Sequence, residues 1–179
     1  MSKKPPLLPD EVLRRVLRLA HLDGTGLLAI AGGFALVSAW CHDTTGTVAG
    51  LLIAGAGAIE LHGAALIRHG RERGVNWLIV SQLYLMGAVL GYVAWQLTHV
   101  DLSIFSSLAD AIDPTTIDEM RRQFAPYHMS KAELFQSAYV GFFELIFVLT
   151  VIYQGGMTIY YARRRARVIT ALHQIHGHD

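Results

Sequence analysis

The chain has 179 residues, 53% of them hydrophobic and only 16% charged, with a mean hydropathy of +0.37. That balance excludes an ordinary polar-surfaced domain and places the chain in the membrane class. A net charge of +1 carries no message as a total, and one cysteine, Cys41, excludes an intrachain disulfide or a zinc site of several thiolates.

Residues 1–23 read as an amphipathic N-terminal segment. Asp10 is placed to cap a helix running to about Leu22. Val12, Leu13, Val16, Leu17 and Ala20 recur at helical spacing, and Arg14, Arg15 and Arg18 occupy the other side. Such a helix lies on an anionic membrane surface or packs on the protein's own inner face, and the two do not conflict. The segment is too charged and too long to read as a cleaved signal, so the first span is expected to be kept.

Asp23-Gly24-Thr25-Gly26 is predicted to break that helix. Residues 24–98 then hold three spans. The first centres on Leu27–Trp40, with Trp40 at the interface and Cys41 expected as a buried small residue. The second, Thr47–Ile67, is long enough for a bilayer core of about 30 Å at about 1.5 Å per residue. It is crowded with Gly and Ala, and Gly46-x-x-x-Gly50 has the spacing that lets helices approach closely. The small-residue faces of these two spans are the expected oligomer contacts. Arg68–Gly74 is a basic loop, and Val75–Thr98 is the third span.

Residues 99–129 form the long loop, read as a small extracytoplasmic cap with short helices near 103–111 and 114–124. Residues 130–179 hold the fourth span, opened by a Ser130/Glu133 capping box. The span runs from Leu134 to about Tyr161 and projects as a basic tail carrying Arg163, Arg164, Arg165 and Arg167. With Arg14, Arg15 and Arg18, these arginines are the candidate membrane-surface contacts. The fold class is therefore all-α: a polytopic bundle of four transmembrane helices with an amphipathic N-terminal helix and a helical cap.

Twelve of the fifteen Lys and Arg lie in the N-terminal segment, the second-to-third loop and the C-terminal tail. The opposite loops hold Arg121, Arg122 and Lys131. By the positive-inside rule both termini are cytoplasmic, in a plasma (inner) membrane.

The costly residues are the polar ones inside the spans. An ionised carboxyl near mid-membrane costs on the order of 2.5 kcal/mol or more, so such groups turn toward a bundle interior, a partner or water. Glu60 and His62 are two positions apart, roughly 200° around a helix, and are expected on separate faces. Glu60 shares its face with Ala56, Gly57, Gly63, Ala64 and Ile67. Counting inward from the helix ends puts Gln82 at the same height, with Thr150 near it, so Glu60 and Gln82 are candidates for one hydrogen-bonded site. Glu144 is a second acid, near the middle of the fourth span, on a face with Ser137, Gly141 and Val148. Glu60, Glu144, Gln82 and His62 are the candidate ion pathway.

A third layer lies at the outer helix ends: His42 and Asp43, His99 and Asp101, and His128. Imidazole and carboxylate suit zinc, copper or iron, and paired histidines suit haem. No repeated ligand spacing joins them, so whether any cofactor binds stays open. Gly55-x-Gly57-x-x-Glu60 sits inside an apolar run and is no nucleotide loop. No nucleophile pattern has the context of an enzyme, and the sequence leans away from one.

Three functions follow. The favoured one is a channel or transporter moving protons or small cations through the intramembrane carboxyls. The alternatives are a redox, metal- or haem-binding subunit, and a non-catalytic scaffold or partner subunit. The expected partners are the lipid bilayer and further copies of the chain or a larger complex, with no nucleic acid. Four spans enclose little by themselves.

Overall fold

A computed structural model describes residues 9–99 and 131–176. Every secondary-structure element among them is helical: α1 (Pro9–Trp40), α2 (Thr44–Arg68), α3 (Arg73–Thr98) and α4 (Lys131–His176). Each is long and apolar enough to cross a membrane, which suggests a multi-pass membrane protein. Ile30, Leu36, Trp40, Leu51 and Ile152 are exposed, the pattern of helices whose outer faces meet an apolar solvent. The cap helices expected near 103–111 and 114–124, with Asp101 and His128, lie outside the described residues.

The chain divides into two compact units, Met1–Leu90 with Thr150–Asp179, and Gly91–Leu149. In the first, α1 and α2 pack along a seam of small residues. A Cβ on Gly57 would stand 2.6 Å from the Gly24 carbonyl oxygen and 2.9 Å from Leu28 N. One on Gly50 would meet Ala35 at 2.9 Å. Gly24, Ala31 and Ser38 on α1, and Gly50, Gly57 and Ala64 on α2, recur every seven residues, the repeat of a shallow left-handed crossing. The small faces expected to join separate copies are thus used inside one chain. The α2–α3 seam repeats the device: Gly63 and Gly74 face each other's backbones, and Ser81 Oγ donates to the Ala56 carbonyl at 2.9 Å.

Both tight turns follow from capping chemistry. At the end of α1, Asp43 N donates to Ser38 O at 2.8 Å and His42 N to Ala39 O at 3.1 Å. This is a Schellman closure with His42 in the left-handed region at φ 57. Asp43 then caps α2, accepting from Gly46 N at 2.9 Å. At the end of α2, Arg71 N reaches Leu66 O at 2.9 Å and Gly70, at φ 73, takes the same left-handed position without a Cβ penalty.

The expected break at Asp23–Gly26 does not occur: α1 is continuous from Pro9 to Trp40. Gly24 is helical because α2 lies against it, a Cβ there meeting Leu61 at 3.0 Å. Thr25 Oγ1 bonds back to the His21 carbonyl within the helix. Tertiary packing outweighs a propensity cost of about 1 kcal/mol per glycine. Asp10 accordingly stands in the first turn rather than at the cap.

The N-terminal half of α1 packs on the protein itself. Val12, Leu13, Val16 and Ala20 join Ala64, Ile67, Val75, Leu78, Met157, Tyr161, Val168, Ala171 and Leu172 in one core. Arg14, Arg15 and Arg18 are exposed on the opposite side. The projecting end of α4 is therefore not a loose tail, since its apolar stripe covers that of α1. Glu72 Oε1 and His173 Nε2 meet at 2.5 Å across the same end. Arg164 lies 4.6 Å over the Tyr160 ring, while Arg163, Arg165 and Arg167 are exposed.

The second unit joins the last part of α3 to the first part of α4. Tyr139 donates to the Gln96 carbonyl at 3.2 Å, and its ring packs on Phe143, itself edge-on to Tyr92.

Candidate functional site

Glu60 and Gln82, two buried polar side chains of the first unit, meet at one place with Asp23, Tyr153 and Tyr161. Glu60 is fully buried on the small-residue face of α2. Tyr161 of α4 donates its hydroxyl to Glu60 Oε1 at 2.8 Å. The Asp23 carboxyl of α1 and the Gln82 amide of α3 also lie against the Glu60 carboxyl. Gln82 Nε2 donates to Asp23 Oδ2 at 3.3 Å, and Tyr153 of α4 donates to Asp23 Oδ1 at 3.3 Å. Each of the four helices thus supplies at least one side chain.

The backbone seams explain the meeting. Gly57 is one turn from Glu60, and Gly24 is next to Asp23. Their mutual approach leaves no side chain between the two carboxyls. Ser81, next to Gln82, fastens α3 to α2 at Ala56 in the same way. Two acceptors in the cluster, Glu60 Oε2 and Gln82 Oε1, are buried with no hydrogen bond of normal geometry. A buried acceptor without a donor costs about 1–3 kcal/mol.

Beside it runs an open-sided groove of about 240 Å³, lined by Leu22, Asp23, Gly26, Leu27, Ile30, Ala31 and Ile53. Asp23 is the one charged residue of that lining. A Cβ on Gly26 would meet nothing within 4 Å.

Other candidates stand apart from the cluster. Glu60 and His62 do face opposite ways. The residues sharing the Glu60 face are all buried, whereas His62 is exposed and meets Trp77 edge-on at 5.5 Å. Glu144 belongs to the second unit, where its side chain is exposed with Ser137, Gly141 and Val148. Within the first unit Glu60 and Gln82 are together and His62 is exposed on the other side of α2; Glu144 is exposed within the second unit.

The described members of the outer layer have local partners. His42 serves the α1–α2 turn, and Asp43's carboxylate is occupied in capping α2. His42 and His62 lie about 30 Å apart along a helical rise of about 1.5 Å per residue. His99 stacks on Trp95 at 3.8 Å, and its Nδ1 lies 2.9 Å from Thr98 Oγ1. Among the described residues no three His, Cys, Asp or Glu side chains gather as metal ligands. Cys41 is exposed at the turn, not buried as expected, because the Schellman closure throws it outward.

Sequence reasoning missed Asp23, Tyr153 and Tyr161. Asp23 was hidden by the Gly-Thr-Gly that follows it, which reads as a turn. The tyrosines resemble interfacial residues in sequence, and α4's contribution was expected from Thr150. A usable signal did exist: Asp23 sits on the same α1 face as Val16 and Ala20, so an unbroken helix aims it inward.

The chain matches no protein family, no curated protein and no solved structure.

Proposed function

We propose that the protein is a multi-pass membrane transporter or channel for protons or small cations, centred on the Asp23–Glu60 pair. Two carboxyls from different helices, in contact inside the bundle, carry this reading. Such a pair is stable when it shares a proton, because two adjacent negative charges of low solvation repel strongly. The shared proton is also the donor that the orphaned Glu60 Oε2 calls for. The surrounding groups favour a proton over a bare metal cation: Tyr153, Tyr161 and Gln82 present donors to the carboxyls, where a metal site would turn oxygens inward.

In this reading both termini and the α2–α3 turn are cytoplasmic, which the arginine distribution supports, and the pair lies in the inner leaflet of a plasma membrane. Glu144, exposed on a single chain, needs a second copy to enclose it, and a homo-oligomer supplies one. The same tyrosine bonds would serve a purely structural clasp, which is the competing reading.

Proton flux into proteoliposomes, followed with an internal pH dye, separates the two. Glu60→Gln and Asp23→Asn preserve shape and hydrogen bonding but remove the exchangeable proton. Both are expected to abolish flux while size-exclusion behaviour and helicity stay those of the wild type. Undiminished flux in both variants, or no flux above empty liposomes in the wild type, overturns the proposal.

A further inference from the structure

Glu144 is the acid that the Asp23–Glu60 cluster leaves unused. It lies eight residues, about 12 Å, inside the candidate membrane span of α4 that begins at Gln136. Residues 138–149 are apolar apart from Tyr139 and Glu144. Its side chain is exposed, and among the described residues none bonds to it. The side of α4 that the second unit covers is elsewhere, at the buried Tyr139 and Phe143. Ser137, Gly141, Glu144 and Val148 form a face centred roughly 150° away around the helix, and all four are exposed. A Cβ on Gly141 would meet nothing within 4 Å.

We infer that this face is a contact between two copies of the chain, in which parallel α4 helices cross at Gly141 and the two Glu144 carboxyls hydrogen-bond to each other. The carboxyl, not the small residues beside it, decides the occupant. Acyl chains offer it no partner, and glutamate lacks the long stem by which Lys and Arg snorkel to an interface. No Lys or Arg occurs in residues 19–67, 74–98 or 132–162, so the described spans of another copy bring no cation to that depth. Another copy does bring the same acid at the same height, because both copies insert with the same orientation. A protonated carboxyl carries one donor and one carbonyl acceptor, so it is complementary to itself. About a two-fold axis each O–H donates to the other's carbonyl oxygen, and both groups are satisfied without any covalent bond changing. Gly141, one turn away, lets the two backbones come close enough for the carboxyls to meet.

The inference rests on the multi-pass membrane reading and names the partner that encloses Glu144. It does not require the Asp23–Glu60 pair to carry protons.

The test uses the whole purified protein in liposomes, labelled through the exposed Cys41 with a donor or an acceptor dye. Energy transfer between copies is followed as lipid is added. Transfer is expected to rise linearly with acceptor fraction, as for a dimer, and to be reversed by dilution in lipid. Glu144→Leu should weaken association about five- to thirtyfold, the scale of an interhelical hydrogen bond in a bilayer. Gly141→Leu keeps the acid but adds bulk at the crossing, and should weaken association at least as much. Glu144→Gln, whose amide also donates and accepts, should retain it. In a Cys41→Ser background, Gly141→Cys should form a disulfide between copies on oxidation, and Phe142→Cys, about 100° further round the helix, should not. A monomeric wild type, unchanged association in either leucine variant, loss of association in Glu144→Gln, or crosslinking through Phe142→Cys in place of Gly141→Cys overturns the inference. Those failures alongside intact, Glu60-dependent proton flux leave the proton reading standing; a dimer without flux keeps the contact and removes that reading.

Discussion

Substituting Gly57 by alanine tests the seam that brings the carboxyls together. Its Cβ would lie 2.6 Å from the Gly24 carbonyl oxygen, against about 3.4 Å for ordinary contact, and the obstacle is backbone on a neighbouring helix. The helices must part by about 0.8 Å there, or bend. Overpacking of this kind costs about 1–3 kcal/mol. Alanine returns up to about 1 kcal/mol of helix propensity. The net expectation is a loss of about 1–2 kcal/mol, with the Asp23–Glu60 contact loosened at the same time. Gly87→Ala is the control, because its new methyl group meets nothing within 4 Å and only the propensity gain applies. Thermal unfolding in detergent, followed by tryptophan fluorescence, ranks the two variants against the wild type. The reasoning is refuted if Gly57→Ala proves as stable as Gly87→Ala.

Three further outcomes are expected. Tyr161→Phe removes the donor to Glu60 Oε1 and should cost about 1–3 kcal/mol in the same unfolding assay, while flux persists because both carboxyls stay; unchanged stability would mean the bond contributes nothing. Leu78→Ala, fully buried where α1, α2 and α4 meet, should cost about 2–5 kcal/mol, whereas Ile152→Ala, exposed on α4, should change stability by less than about 0.5 kcal/mol. Cys41 is exposed at the α1–α2 turn, so a membrane-impermeant maleimide added to intact cells should label it; labelling only after lysis would reverse the assigned topology.

Hydropathy alone was enough to mark four long apolar helices, because the spans exceed any other use of so many consecutive apolar residues. The helical period alone separated Glu60 from His62, and counting depth from the helix ends paired Glu60 with Gln82. Both deductions need only the rise and twist of one helix. The single helix through Asp23-Gly24-Thr25-Gly26 was a different matter. Local propensity argued for a turn, and only α2, lying against Gly24, makes the helical state the stable one. With that error went Asp23, and with Asp23 the pair.

Composition and spacing thus determined how many helices are long and apolar enough to cross a membrane, and which face of each is small or polar. Which faces meet was decided by tertiary structure, since several small-residue stripes have nearly the same spacing and a local code cannot rank them. The seams Gly24–Gly57 and Gly63–Gly74, and the reach of Tyr153 and Tyr161 from α4, depend on contacts between residues far apart in the chain. Those contacts are what turn four scattered polar residues and one overlooked aspartate into a single cluster.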